Sequence, residues 1–187
     1  MKLSDYCDIN VGTVLSRVTS KDNQGESYAV FSIKVALKEE APTTIYSNVE
    51  KEHLLLAKAG DVVMSLTQQK VFIITEEEAG MIIPSTFAHF RIHQKEILSE
   101  YLKWYFLHSD AYQRKLHLLQ HSGGVNFLKI NDLKQIDLPA LSLDKQEKLA
   151  KLMHTFEREQ ELYQQKMALF QAVINDYGNQ QLKQGDH

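Results

Sequence analysis

A seven-residue apolar repeat near the carboxyl end constrains this chain more than any other feature of its sequence. The first series of the repeat consists of Leu149, Phe156, Tyr163, Phe170 and Tyr177. A second series lies four residues further on and consists of Met153, Gln160, Met167 and Ile174. Series at these intervals occupy the d and a positions of a coiled coil, with Gln160 as the one polar member of the seam. The repeat therefore predicts a long helix over residues 142–187, with Ser142 as its cap.

The length of this helix determines what it can pack against. The 29 residues from Leu149 to Tyr177 form a rod of about 43 Å at a rise of 1.5 Å per residue. A compact body of ~140 residues has a radius of gyration of only about 14 Å, so it cannot cover the seam along its whole length. We expect a second helix to cover the seam. The alternative is a terminal helix that packs partly on its own domain and frays at its end.

The first ninety residues have the pattern of strands. Residues 28–35 and 71–75 are rich in β-branched and aromatic side chains. Residues 86–92 alternate between apolar and polar, which predicts a strand with one face on a core. A Gly60-Asp61 turn precedes another predicted strand at residues 62–65.

The pattern becomes helical from Glu96, where apolar residues fall three or four apart, and Ser109 offers a cap between two helices. We therefore predict an α+β fold. A β-rich body with packed helices, residues 1–141, precedes the long coiled-coil helix, residues 142–187.

Composition limits the class of protein. The chain has 187 residues, of which 43% are hydrophobic, with only 8 Gly and 3 Pro, so it can bury a core and has little room for linkers. Its apolar runs are far shorter than the roughly 20 residues that cross a bilayer. Asp5 stands where a secretory signal would be apolar, and a single cysteine, Cys7, cannot form a disulfide framework. We expect a cytoplasmic protein with no membrane contact.

Signals of catalysis are weak throughout the chain. His117 and His121 have the spacing of a zinc-binding helix but lack its glutamate. The three glutamates at 76–78 could bind a divalent cation only with ligands from other segments, and a solvated hairpin tip is the simpler interpretation. Cys7 has no activating base nearby in the sequence and is typical of a small buried hydrophobe. We expect a non-catalytic protein without a metal site or cofactor of its own.

Positive charge is concentrated in the middle of the chain. The formal net charge is -3, yet residues 101–141 hold 5 basic and 3 acidic side chains, against 10 and 14 in residues 1–100. This distribution fits either a solvated helix surface or contacts with phosphates.

Two polar segments carry side chains suited to nucleic acid. Gln68, Gln69 and Lys70 fall at a predicted turn between strands. Glutamine can pair with adenine and lysine can donate to guanine in the major groove, although ordinary polar turn chemistry explains the same residues. The second segment offers backbone N–H groups, a hydroxyl, an amide and a nearby lysine, at Ser122, Gly123, Gly124, Asn126 and Lys129. Gly123 also suits a helix C-cap.

Six short motifs occur in the order found in one protein family. They are Gly60-Asp61 within residues 59–65, Pro84-Ser85 within 83–91, Tyr101-Leu102 within 100–109, Ser122-Gly123-Gly124 within 121–128, Leu138-Pro139 within 133–139 and Gln146 within 143–150. Each motif is degenerate by itself. In this order, over nearly the whole chain, they resemble the specificity subunits of type I restriction-modification systems.

The resemblance implies a target recognition domain followed by a long helix. A full-length family member resembles two such units in tandem, whereas this chain resembles a half-subunit with one unit. The family is not catalytic itself: it reads a split DNA sequence and holds modification subunits, which carry S-adenosylmethionine and methylate adenine, and in some assemblies restriction subunits. We therefore expect residues 1–141 to bind double-stranded DNA, and residues 142–187 to serve as dimerisation helix, spacer and docking site for partner subunits.

The resemblance also suggests roles for particular residues. We expect Gln68, Gln69 and Asn126 to face base edges and Lys70, Arg91 and Lys129 to meet phosphates, with Ser122, Gly123 and Gly124 as further contacts. We expect an antiparallel homodimer through the heptad seam, with two identical half-sites about one turn of B-DNA apart. The alternative from a different class is a non-catalytic coiled-coil assembly protein that does not bind DNA. An enzyme that uses the histidines is a more distant alternative.

Overall fold

The computed structural model describes residues 1–93, 95–121 and 129–184. The contacts of the chain divide it into two units, Met1–Glu147 and a second unit that begins at Lys148. Strands and short helices build the first unit, and a single helix runs through the described part of the second. The predicted α+β class and the predicted long helix are both confirmed.

In the described residues of the first unit, six strands form two sheets. The strands are β1 (Cys7–Val11), β2 (Glu26–Val30), β3 (Thr43–Ser47), β4 (Val62–Ser65), β5 (Val71–Ile73) and β6 (Phe87–Ile92). Four of them form an antiparallel sheet in the order β1-β6-β4-β5, and β2 pairs with β3 in a separate antiparallel ribbon. The order places β6 and β4 at the centre of the main sheet.

The helices are α1 (Leu15–Val18), α2 (Ile33–Ala36), α3 (Ser99–His108), α4 (Asp110–His121), α5 (Ile130–Lys134) and α6 (Leu143–Gln184). Ser109 lies between α3 and α4, and its hydroxyl oxygen is 3.5 Å from the Tyr112 amide nitrogen. The Ser142 carbonyl accepts hydrogen bonds from the Lys145 and Gln146 amides, so α6 begins where the sequence predicts. With 42 residues, α6 is about 63 Å long. Neither α6 nor any other helix in the described residues combines the length and apolar character that a bilayer crossing requires.

The strand at 86–92 is buried more completely than its alternation predicts. Layers cover both faces of β6, so its first four residues are all buried. On one face the Phe87 ring packs edge-on against Phe31, with centroids 5.2 Å apart. On the other face Phe90 packs against Phe106 of α3, with centroids 5.0 Å apart. The prediction of one core face was wrong because β6 is a central strand between two layers.

The predicted strand over residues 28–35 was also wrong in its second half. β2 ends at Val30, and α2 begins at Ile33. The Ser32 hydroxyl accepts a hydrogen bond of 3.2 Å from the Val35 amide. A serine in this position caps a helix, and this local bond overrides the strand propensity of the β-branched residues around it.

A buried carboxylate joins the two central strands at one end of the main sheet. Asp61 directly precedes β4 and is 3% exposed. Its Oδ2 lies 2.8 Å from His89 Nε2, and it accepts from the Lys58 amide at 2.8 Å. The guanidinium of Arg91 donates from Nε to Oδ1 at 3.0 Å and from Nη2 to Oδ2 at 2.7 Å. Arg91 Nη2 also donates to the Leu56 carbonyl at 3.0 Å.

These partners keep the Asp61 carboxyl ionised. Burial acts to raise its pKa, but the hydrogen bonds from His89 and Arg91 outweigh burial and lower the pKa to about 2. The unfolded chain has an aspartate pKa near 3.9, so a native pKa of about 2 stabilises the fold by about 2 to 3 kcal/mol at neutral pH. This contribution is complete above about pH 5 and is lost as the pH falls through 4 towards 2.

We predict that Asp61→Asn removes this pH dependence. The difference in the free energy of unfolding between wild type and the variant should shrink by about 2 to 3 kcal/mol between pH 7 and pH 2, because the wild-type carboxyl becomes protonated over that range. Urea denaturation of both proteins across this range measures the difference. A difference that stays constant with pH would show that the Asp61 carboxylate is not held by these bonds.

Candidate functional site

The tight turn between β4 and β5 brings three of the predicted DNA-contact residues together. Gln68, Gln69 and Lys70 lie on this turn, as the sequence predicts. The Gln69 amide donates to the Ser65 carbonyl at 3.0 Å, and the Ser65 amide donates to the Lys70 carbonyl at 2.9 Å. Gln68 and Lys70 are exposed, and Gln69 is half-buried. Two carboxamides and an ammonium group therefore extend from one short, fixed segment.

The buried side chain of Ser65 holds this turn through hydrogen bonds. It is 2% exposed, and its hydroxyl accepts a hydrogen bond of 3.2 Å from the Gln68 amide. Its Oγ also lies 3.3 Å from the Thr67 Oγ1. Gln69 adopts a left-handed backbone with φ of 56°, a conformation that costs a residue other than glycine about 1–2 kcal/mol. The surrounding bonds maintain this strained residue, which is a common feature of binding sites.

Acidic side chains cluster at the opposite end of β5. Glu76 and Glu77 are exposed in the turn that follows the strand. Glu78 accepts through Oε2 from the Thr75 amide at 2.8 Å and from the Thr75 hydroxyl at 3.0 Å. Glu77 also pairs with Lys38 at 3.4 Å. This end of the sheet would repel a phosphate backbone, whereas the Gln68–Lys70 end carries a cation.

Arg91 lies apart from the turn that carries the glutamines. It pairs with Asp61 before the first residue of β4, whereas the turn follows the last residue of that strand. Its side chain is 31% exposed, and two of its nitrogens are bound to Asp61 and the Leu56 carbonyl. The observed contacts give Arg91 a structural role, and contact with phosphate stays a prediction.

The other predicted contacts follow α4 in the sequence. Lys129 is exposed and directly precedes α5, and its carbonyl accepts from the Asp132 and Leu133 amides. Ser122, Gly123, Gly124 and Asn126 lie outside the described residues.

The structure shows no catalytic or metal-binding arrangement among the described residues that the sequence offered for such roles. Cys7 is buried, and burial together with the charge of Asp8 raises the pKa of its thiol to about 12, so it packs as the predicted hydrophobe. Within residues 1–93, 95–121 and 129–184, no group of three or more His, Cys, Asp or Glu side chains is arranged to hold a metal ion.

The heptad seam of α6 carries a continuous set of apolar side chains. Leu149 and Met153 are half-buried. The other seam members are exposed, at Phe156, Gln160, Tyr163, Met167, Phe170, Ile174 and Tyr177. Six of these exposed seam members are aromatic or large apolar side chains, and each is more than half exposed. Together they form an apolar surface that soluble proteins usually cover.

The match to a known family covers both the body and the first part of the helix. The model of the type I restriction modification DNA specificity domain matches residues 1–169. The chain belongs to this family. No curated protein matches this chain by sequence.

Solved structures share the fold of this specificity domain. One comes from a study of complex assembly and conformational transition of the type I R-M system, with 18% identity over 85% of this chain and 38% of that chain and a TM-score of 0.58. The HsdS subunit from Thermoanaerobacter tengcongensis is 17% identical, and the match covers 85% of this chain and 37% of that chain with a TM-score of 0.56. The type I S subunit from M. genitalium is 12% identical, and the match covers 92% of this chain and 42% of that chain, also with a TM-score of 0.56. The chain spans about two fifths of the length of these structures.

Two residues of the sequence motifs in this specificity domain, Pro84 and Gly60, have structural roles away from the turn. A Cβ atom at Gly12 would lie 2.0 Å from the Pro84 carbonyl oxygen, so only glycine fits against that motif. Gly60 has φ of 85° and turns the chain into Asp61. Ser65, which holds the turn, was missed by sequence reasoning. Its signal is a serine before the paired glutamines, because serine hydroxyls bond local backbone in turns.

Proposed function

We propose that this chain supplies a DNA-reading unit, equivalent to half of a specificity subunit, in a type I restriction-modification system. The family match over residues 1–169 carries this proposal. In this role the chain is non-catalytic and directs a partner methyltransferase, which carries S-adenosylmethionine, and in some assemblies a restriction subunit, to a bipartite target. A cytoplasmic location follows from the need to reach cellular DNA.

We infer that the Gln68–Lys70 turn enters the major groove. Its carboxamides can pair bidentately with adenine, and Lys70 can reach guanine or phosphate. The bonds of Ser65 fix the turn before binding, so little ordering entropy remains to be lost. The acidic far end of β5 faces away from DNA in this orientation. We propose Asn126, Ser122, Gly123 and Gly124 as further DNA contacts, with Lys129 towards the backbone. Arg91 pairs with Asp61 at the acidic end of the sheet, so in this orientation it does not contact the stretch of DNA that the turn reads.

We further propose that α6 pairs with a second copy in antiparallel orientation. Antiparallel helices place each a residue opposite a d residue of the partner helix. The seam then forms layers that pair Leu149 with Ile174, Met153 with Phe170, Phe156 with Met167 and Gln160 with Tyr163. Gln160 therefore meets a tyrosine hydroxyl rather than an aliphatic group, which reduces the cost of burying its amide.

The charges that flank the seam favour the same register. Glu159 and Lys166 both occupy g positions, and antiparallel pairing brings Glu159 of each copy beside Lys166 of the other. Leu152 and Val173 also become neighbours at g positions. In a parallel pair the same two charges would instead face Gln164 and Gln171. Lys166 already lies against the seam, with its Nζ 5.8 Å from the Phe170 ring centroid.

Leu162 and Leu169 are exposed apolar residues that lie outside this dimer seam. Leu162 and Leu169 occupy c positions and are 48% and 69% exposed. We propose that they belong to the surface on which a partner methyltransferase subunit docks.

The proposed reading turn makes a prediction for DNA binding. Gln69→Ala should weaken binding to the preferred sequence by about 1–3 kcal/mol and relax discrimination at one base pair, whereas Lys129→Ala should weaken all sequences about equally. Binding selection on random duplex DNA, with the methyltransferase present, measures both effects. Gln69→Gly is the matched control, because it removes the same carboxamide but tolerates the left-handed backbone.

If Gln69→Ala and Gln69→Gly lose equal affinity for target and random DNA, the turn does not read the sequence and another surface must do so. The absence of sequence-specific binding by the wild type would favour the assembly protein that does not bind DNA.

The proposed register makes a prediction for assembly. Glu159→Lys alone and Lys166→Glu alone should each raise the dimer dissociation constant about tenfold, because two symmetric attractions become repulsions. The double variant Glu159→Lys/Lys166→Glu should restore dimerisation. Analytical ultracentrifugation at low salt measures these constants. Glu161→Lys changes the same charge at a b position, and this control should have little effect.

A double variant as weak as either single variant would contradict this register. If the wild type stays monomeric at tens of micromolar, the seam instead pairs with a helix of a different chain.

A further inference from the structure

Gln146 is a fully buried amide in the first turn of α6. Among the side chains that the structure describes, no other glutamine or asparagine is buried, and its exposure is 0%. Burial of an amide is costly unless its donors and acceptor find partners. The contacts of Gln146 therefore indicate what this position does.

The Gln146 side chain makes three hydrogen bonds to main-chain groups. Its Oε1 accepts from the Leu98 amide at 2.9 Å. Its Nε2 donates to the Glu96 carbonyl at 2.7 Å and to the Leu141 carbonyl at 2.8 Å. Both amide hydrogens are thus used, and the groups they bind lie in segments outside the strands and helices. One side chain ties the start of α6 to the segment that leads into α3.

The segment before α3 is tied in turn to the main sheet. The Ser99 hydroxyl donates to the Gly60 carbonyl at 2.6 Å. Gly60 precedes Asp61, whose carboxylate is held by His89 and Arg91 of β6. From Asp61, β4 runs directly to the Ser65 turn. Hydrogen bonds and one strand therefore connect the proposed reading turn to the first turn of the long helix without a flexible link.

We propose that Gln146 is a positioning residue that sets the gap between the two half-sites of the DNA target. This inference rests on the proposed function, since it requires a dimer that reads two half-sites. Each added base pair moves the second half-site about 3.4 Å and turns it by roughly 35° around the duplex axis. A dimer in which the first turn of α6 is held rigidly by the Gln146 bonds cannot follow such a change. A dimer in which this turn is held loosely can.

The test measures how strongly the binding of the dimer depends on the number of base pairs between the two half-sites. Duplexes carry the two half-sites selected by the wild-type protein, separated by the selected gap or by one base pair more or fewer. The wild type should prefer the selected gap at least about tenfold, and Gln146→Met should prefer it less than about threefold. Affinity for a duplex with one half-site, and the dimer dissociation constant, should each stay within about twofold of wild type.

Two further variants separate positioning from stability. Ser109→Ala removes another buried polar side chain, at the start of α4 and away from the path, and should keep the wild-type gap preference. Ser99→Ala breaks the link to Gly60 while leaving Gln146 intact and should broaden the gap preference. Ser99→Ala also serves as the test if Gln146→Met does not fold by circular dichroism.

An unchanged gap preference in folded Gln146→Met, or in Ser99→Ala where Gln146→Met does not fold, would overturn the inference while leaving the proposed function intact. Equal broadening by Ser109→Ala would also overturn it, because general destabilisation would then explain the effect. A wild type that selects no gapped target would refute the proposed function itself, and the inference with it.

Discussion

The buried carboxylate of Asp61 is the interaction on which the rest of the body depends. It lies at the point where β4 begins, and it holds His89 and Arg91, two alternate residues of the central strand β6. An unpaired buried charge would cost several kcal/mol. The burial of the Asp61 carboxylate therefore depends on its bonds to both His89 and Arg91. The set fixes the beginning of β4, and the end of that strand carries the Ser65 turn. The Gly60 carbonyl beside Asp61 also anchors Ser99 at the start of α3.

The parts of the fold that the sequence predicts are those with local signals. The heptad repeat is periodic over many turns and predicts α6, and a pair of glutamines between two strand patterns places the turn at Gln68 and Gln69. The Asp61 set has no such signal, because His89 and Arg91 are 28 and 30 residues away and only strand pairing brings them together. Arg91 was therefore interpreted from its charge alone. The second half of the predicted strand at residues 28–35 failed for the opposite reason, since the local cap bond of Ser32 starts a helix where the residue types favour a strand.

The candidate site was predicted only in part, because local sequence signals identify its residues but not their orientation. Sequence identifies which side chains are suited to base edges or phosphates, but their orientation depends on backbone geometry that emerges in the fold. The left-handed backbone at Gln69 and the hydroxyl of Ser65 decide how the turn is presented, and neither follows from composition. The proposed division of labour assigns base reading to the turn, spacing to the α6 helix and Gln146, and assembly to the seam. Each task then depends on a different set of residues, which makes the sets separable by mutation.

The most direct test of this account is to map methylated adenines by single-molecule sequencing in cells that carry this chain with its partner methyltransferase. In the proposed homodimer, two identical copies joined by antiparallel helices would read two identical half-sites in opposite orientations. We therefore predict an inverted repeat with unread bases between its halves, and no such methylation in cells that lack this chain. A continuous, asymmetric methylated motif without a gap would contradict it.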